Sequence, residues 1–324
     1  MYYVSSSPHV KSKFTTQKIM RDVIIAMLPA AIFGIINAGV LFGEQYAFRS
    51  LMLILVVCAT CVLSEYIYEK ITNRKVTTED LSAVVTGMIL ALNLPVTFPF
   101  WMAILGGIFA IIVVKMLFGG LGQNFMNPAL GARCFLVLSF AGEMTAFFPE
   151  KYQIVDGVSQ ATPLTAMKGG AETDLLTMFV GNHAGTIGET SVIALLIGAA
   201  YLVIKKVIDL RIPLTYIITF TVCIILFGGN GFDIDFLAKH ICGGGLIFGA
   251  FFMATDYTTS PITAKGQYIY GICLGVLTAL IRTFGNTAEG VSFAIIFCNL
   301  LVPLIEKITV PKAFGMENLK KEEN

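Results

Sequence analysis

The chain has 324 residues, 56% of them hydrophobic and only 13% charged, where a soluble domain carries roughly 25% charged residues. A mean hydropathy of +0.79 over the whole length implies many membrane spans rather than one anchor. The formal net charge of +1, with Lys and Arg in short clusters between apolar runs, excludes a nucleic-acid-binding role.

The first twenty residues are polar and basic (Lys11, Lys13, Lys18, with Arg21 just after). No cleavable signal peptide is expected, because the apolar run from Val23 is long enough to stay as a span. Ten apolar runs follow, at about 23–42, 50–68, 81–94, 100–118, 130–148, 190–208, 212–228, 240–254, 267–284 and 290–305. A helix crosses the bilayer in about 20 residues, and two runs are shorter. The third ends at Asn93-Leu94-Pro95 and the eighth at Ala254-Thr255-Asp256. Between the fifth and sixth lies a long connection, 149–189, holding the polar stretch Asp156-Gly157-Val158-Ser159-Gln160-Ala161-Thr162-Pro163-Leu164-Thr165. Its Thr162 offers a hydroxyl for covalent modification. Taken alone, these residues favour an unmodified Ser/Thr-rich turn.

Lys and Arg accumulate in cytoplasmic loops. With the N-terminus inside, 17 of the 22 Lys and Arg fall in inside segments. Only Arg49, Lys151, Lys168, Lys239 and Arg282 fall outside. Both termini are therefore expected in the cytoplasm, with the Thr162 loop extracytoplasmic.

The chain repeats itself. Gly87 to Pro99 resembles Gly245 to Pro261, each a small-residue helix stopping at a polar, proline-bearing break. Each is followed by a span ending in a basic residue and Phe-Gly: Lys115 with Phe118-Gly119, and Arg282 with Phe284-Gly285. The offset is five spans, an odd number, so the halves point in opposite directions. The expected fold is an all-α polytopic membrane protein of ten transmembrane helices. It forms two inverted five-helix repeats, 1–148 and 190–324, flanking the 149–189 loop, with helices 3 and 8 broken. Breaks are tolerated only where protein or a cavity surrounds the loose backbone, so they mark an internal site; helix packing alone also explains short spans and glycines.

Ionisable residues within spans are costly and face protein or water. Lys115 and Arg282 are expected to be interfacial and to snorkel. Asp256 reads equally as part of an ion path or a partner of a buried Arg or Lys, or as an interfacial acid. Cys58-Ala59-Thr60-Cys61 has the CxxC form, but it lies within an apolar helix, and the other five cysteines and three histidines are scattered. No metal site is assigned.

Five segments in order carry a family likeness: Thr86-Gly87 through Leu94-Pro95; Gly119-Gly120-Leu121-Gly122-Gln123-Asn124 with Asn127-Pro128-Ala129; Ser159 to Leu164; Ala250-Phe251-Phe252-Met253-Ala254-Thr255-Asp256; and Asn299-Leu300-Leu301-Val302-Pro303. Together they resemble the RnfD/NqrB family of ion-pumping redox complexes, over about residues 7–310. The chain looks closer to RnfD, because it lacks a long N-terminal extension and reads Ala-Thr-Pro-Leu at the attachment segment.

The resemblance implies FMN, joined through a phosphoester to the matching hydroxyl, Thr162, by a flavin transferase. Asp156 and Ser159 would be read by the transferase, small Ala161 leaves room, Pro163 stiffens the exit, and Thr165 is the backup acceptor. The family usually has Gly where this chain has Gln160, a residue with less backbone freedom. A second, non-covalent flavin, riboflavin, is implied near the cytoplasmic side, with Gly120, Gln123, Asn124, Asn127 and Arg133 as candidates. Asn124 and Asn127 also read as caps bridging backbone where helices break. The implied role is electron transfer between ferredoxin and NAD coupled to Na⁺ or H⁺ translocation, in the bacterial or archaeal cell membrane. The implied partners are other Rnf subunits, including an extracytoplasmic FMN subunit and membrane iron–sulfur subunits. This chain should itself bind no NAD, as it has no Gly-rich phosphate loop between a strand and a helix. Alternatives are an NqrB-like subunit reducing quinone, and a flavin-free solute channel or transporter, since fold does not decide function.

Overall fold

The computed structural model describes residues 15–149, 162–169, 173–229, 231–285 and 289–311. Among them all regular structure is helical, with one isolated β-bridge between Pro95 and Thr186. Helix α1 (Thr16–Phe42) starts at Thr15, whose hydroxyl caps Lys18 N, and ends at Gly43, φ +96°. That single left-handed residue turns the chain straight into α2 (Glu44–Ile71). The inner face of α1 is built of small residues, Ala26, Ala30, Ala31, Gly34 and Ala38, while Ile25, Leu28, Ile32, Ile36 and Val40 point outward. Large apolar groups thus face the lipid and small ones let neighbours approach. A Cβ on Gly198 of α9 (Val192–Ile204) would overlap the Ala26 carbonyl, so α1 and α9 meet backbone to backbone.

Helix α3 (Ser82–Leu92) has 11 residues, about 16 Å at 1.5 Å per residue, roughly half the hydrocarbon core. It stops at Asn93 as expected, and the chain runs irregularly to α4 (Phe100–Met116), whose second half, Phe109–Met116, is π-helical. Asn127 caps α5 (Pro128–Ser139), accepting from Ala129 N and Leu130 N, with Pro128 in the first turn. Three short helices follow: α6 (Ala141–Thr145), α7 (Pro163–Lys168) and α8 (Leu175–Val180). After α9 come α10 (Arg211–Phe227), α11 (Ile234–Cys242), α12 (Leu246–Met253), α13 (Ala264–Phe284) and α14 (Val291–Thr309).

Among the described residues four helices, α1, α2, α13 and α14, are long and apolar enough to cross a membrane. The α11–α12 pair adds a fifth if counted as one span, and α3, α4, α5, α9 and α10 are apolar but shorter. The eighth run stops where expected, α12 ending at Met253 just before Ala254-Thr255-Asp256, but it carries a second, unexpected break. This one falls at Gly243-Gly244-Gly245, where α11 and α12 bend by 63° and Gly244 takes φ +65°. Three glycines inside an apolar run read as packing; here they free the backbone to turn.

Each break is capped by an arginine. Arg49 on α2 donates to the carbonyls of Val96, Thr97 and Phe98 at 2.9–3.1 Å. Arg282 on α13 donates to His240 O at 2.6 Å and Gly243 O at 3.0 Å. The connection between α8 and α9 completes the first break, with Ile187 N donating to Leu94 O at 3.0 Å and Gly188 N to Leu92 O at 2.8 Å. Loose carbonyls are thus satisfied by protein, as a break inside a bilayer requires.

Candidate functional site

Thr162 N-caps α7, its hydroxyl accepting from Thr165 N at 3.4 Å and lying 2.8 Å from Thr165 Oγ1. The residue is 8% exposed. Leu164, two residues on, is buried at the α11–α12 break: Cβ atoms added to Gly243 or Gly244 would press on it. Thr162 lines a cavity of about 500 Å³ together with Arg133, Phe147, Lys168, Glu289 and Phe293. That is within the roughly 300–1,000 Å³ range of small-molecule sites, with apolar walls, several hydroxyls including that of Thr162, two cations and the Glu289 carboxylate.

Arg133 is the hub. Its guanidinium donates to Glu289 Oε2 at 2.6 Å and Ser292 Oγ at 2.7 Å, and lies 3.3 Å from Glu189 Oε1. Lys168 Nζ donates to Gly285 O at 2.8 Å. Behind Thr162 a second pocket of about 10 Å³ is lined by His183, Thr186, Glu189 and Glu289. In the α8–α9 connection, burial lowers the pKa of His183 and raises that of Glu189, the latter raised further by Glu289.

Of the expected site residues, Thr162, Thr165 and Arg133 come together. Asp156 and Ser159, with Gln160 and Ala161, lie outside the described residues. Arg133 and Asn124 lie apart: Arg133 faces the Thr162 cavity, while Asn124 and Asn127 line a different pocket with Lys115, Thr255 and Asp256. The direction of α5 explains this, because Asn127 caps its start and Arg133 lies more than a turn further along. Asn124 Nδ2 donates to Met126 O and Thr258 Oγ1, and its Oδ1 is buried without a partner. Gln123 is exposed, and Gly120 takes φ +101° in the turn. The pocket has about 80 Å³ of free space, too little for a tricyclic flavin unless side chains withdraw.

Lys115 and Arg282 do not snorkel. They are 2% and 1% exposed. Lys115 Nζ donates to Glu65 Oε1 and Ser82 Oγ, each at 2.6 Å, and Arg282 stacks over Phe220 while capping α11. Asp256 accepts from Thr258 and Thr259 in the turn after α12. Sequence reading missed Glu65, Glu189, Glu289 and the capping role of Arg49. Glu189 sits in a polar Thr-Ile-Gly-Glu-Thr-Ser run that looks like the lead-in to a helix, and Glu65 in an apolar run; neither carries a local signal.

Two helices broken inside the bundle, each capped by arginine, with a hydroxyl-and-cation cavity alongside, define a polytopic membrane protein built around an internal polar site. Residues 3–315 match the model of the NQR2, RnfD, RnfE family, and the chain belongs to that family. It is 44% identical over 326 residues to a subunit of the Na(+)-translocating ferredoxin:NAD(+) oxidoreductase complex of Acetobacterium woodii, covering 98% of this chain and 97% of that one. It is 39% identical to the corresponding subunit of the proton-translocating ferredoxin:NAD(+) oxidoreductase complex of Clostridium ljungdahlii, covering 97% and 96%. Similarity extends to the same component of the ion-translocating oxidoreductase complex of Escherichia coli O139:H28, 32% identical over 97% of this chain and 99% of that one.

Proposed function

We propose that the chain is the RnfD component of an ion-translocating ferredoxin:NAD⁺ oxidoreductase complex, an electron-carrying membrane subunit with FMN linked to Thr162. The observation that carries the flavin reading is the position of the Thr162 hydroxyl at a cavity of about 500 Å³ holding Arg133 and Lys168. An alcohol in a cavity also lined by two cations suits a phosphoester, and apolar walls with Phe147 and Phe293 suit an aromatic ring system. Bound there, FMN supplies the electron chemistry. The chain supplies the tether and the counter-charges.

We further propose ten crossings in two inverted repeats. Packing supports this: α2 against α4 is mirrored by α10 against α13, and α4 against α5 by α13 against α14. The matching pairs α1 with α9 and α5 with α14 meet each other, as elements on a pseudo-two-fold axis would. Basic loop residues support cytoplasmic termini and an extracytoplasmic Thr162. Riboflavin is proposed near Asn124, whose unpartnered Oδ1 suits a flavin's polar edge; the amide of Asn127 is spent on capping α5 and on Met253 O. The partners are then the other subunits of the complex, including iron–sulfur and FMN proteins, and a flavin transferase.

The test is in-gel flavin fluorescence and intact mass for wild type and Thr162→Ala, each coexpressed with the transferase. One added FMN in wild type, absent from the variant, is expected. A dark wild-type band overturns the tether, and a fluorescent Thr162→Ala band moves it to Thr165.

A further inference from the structure

Four carboxylates are buried among the described residues: Asp22, Glu65, Glu69 and Glu189. Asp22 accepts from Tyr201 at 3.2 Å, Glu65 from Lys115 at 2.6 Å and Glu69 from Thr77 at 2.5 Å. Glu189 differs: it is 5% exposed, makes no well-formed hydrogen bond, and besides Arg133 meets only the Thr186 hydroxyl, at looser range. Arg133 stands 3.3 Å away, but its hydrogen bonds go to Glu289 and Ser292. A buried carboxylate without well-formed hydrogen bonds is costly as an anion. Such a group is relieved by a proton, or by water where there is room.

Its position is as unusual as its shortage of partners. The two residues before it, Ile187 and Gly188, donate into the carbonyls at the end of α3. Its own carboxylate presses on Gly245 at the start of α12, where an added Cβ would overlap Oε1. Glu189 therefore bridges the two helix breaks. The pocket it shares with Thr162, His183 and Glu289 holds about 10 Å³, near the minimum for one water.

We propose that Glu189 is a proton-binding site at the junction of the two broken helices, coupled through Arg133 to the charge held in the Thr162 cavity. The ligand is one proton, taken from water reaching that cavity. Negative charge added to the cavity draws on Arg133, weakens its hold on the Glu189 anion and raises the proton affinity; removing that charge releases the proton. A metal cation fits less well, because Arg133 already occupies the approach to Oε1. The other charged or titratable groups facing the site are Glu289, Lys168 on α7, Arg282 on α13, His240 on α11 and His183. Arg282 spends two donors on His240 O and Gly243 O. Burial, then Glu289, raises the Glu189 pKa, in the direction that such a site needs. The proton site stands on the geometry alone; its coupling to the cavity rests on Thr162 bearing FMN.

Infrared difference spectra of the purified complex, recorded as pH is raised through neutrality, test both. A protonated-carboxyl band that titrates in wild type, disappears in Glu189→Gln and moves in frequency in Glu189→Asp is expected. In Thr162→Ala, which lacks the phosphoester charge, the titration midpoint should fall by about one pH unit. A band that persists unmoved in both Glu189 variants, or no titrating band in wild type, overturns the site. A Glu189 band whose midpoint ignores Thr162→Ala in a complex that carries FMN overturns the coupling. If wild type proves to carry no FMN, the tether reading fails and the Glu189 variants still decide the proton site.

Discussion

Lys115 and Glu65 side chains are each only 2% exposed and stand 2.6 Å apart. A pair so dry is held less by net attraction than by the cost of leaving one charge alone. Lys115→Met should therefore destabilise by about 3–5 kcal/mol, while Glu65→Leu combined with Lys115→Met should recover most of the loss. Unfolding in SDS checks this; a double variant as weak as the single would show that the pair itself is the stabilising element. Glu189 carries a different signature. In the unfolded chain it ionises in the ordinary carboxylate range, whereas in the fold burial and Glu289 make it hold its proton to higher pH. Between those two values the folded state binds more protons, so stability falls as pH rises across that window and is level on either side. Glu189→Gln should flatten that slope in thermal unfolding. The sequence offered Thr162 as a modifiable hydroxyl through its neighbours, and Asn127 as a cap where helices break, which it is. It misjudged Lys115 because a buried pair and a snorkelling lysine look alike at the end of an apolar run, and Glu65 lies 50 positions away.

Among the elements, the two breaks were unequally legible. The end of α3 is written in Asn93-Leu94-Pro95, residues that stop a helix. The α11–α12 break is written only in Gly243-Gly244-Gly245, and glycine serves close packing as readily as a turn. Gly244 shows which use applies, with φ +65° and with Leu164, Arg282 and Glu289 side chains within 3.4 Å of where a Cβ would stand. Gly244→Asn, tolerant of left-handed backbone, should cost less than Gly244→Val, which adds a β-branch in a disfavoured region. The valine variant should lose roughly 2 kcal/mol or more from backbone strain and overpacking, read as a lower unfolding temperature. Because Leu164 of α7 packs on the same glycines, the valine should also reduce flavin attached at Thr162. Equal effects of the two substitutions would place the requirement in side-chain volume and not in the backbone angle.

For the whole molecule, sidedness rests on charge, and the structure sharpens that count. Lys115, Arg133 and Arg282 are buried and paired or capping, so they are not loop charges. Removing them takes the inside total from 17 to 15 and the outside total from five to four, and the bias survives. What crosses between the sides is less obvious. Helix α9 has 13 residues, about 20 Å, short of the roughly 30 Å core. The buried, non-helical residues Thr186 to Ser191 precede it in a turn closed by Glu189 N donating to Thr186 O at 3.3 Å, so α9 crosses with protein, not lipid, covering its outer end. On this account Lys168 and Lys206, both exposed and separated by that single crossing, face opposite sides. With the seven native cysteines replaced, Lys168→Cys should react with a membrane-impermeant maleimide in intact cells. Lys206→Cys should react only after permeabilisation. Equal labelling of both in intact cells would mean that 186–204 dips in and returns, and with an even number of crossings between the halves the inverted repeat could not stand.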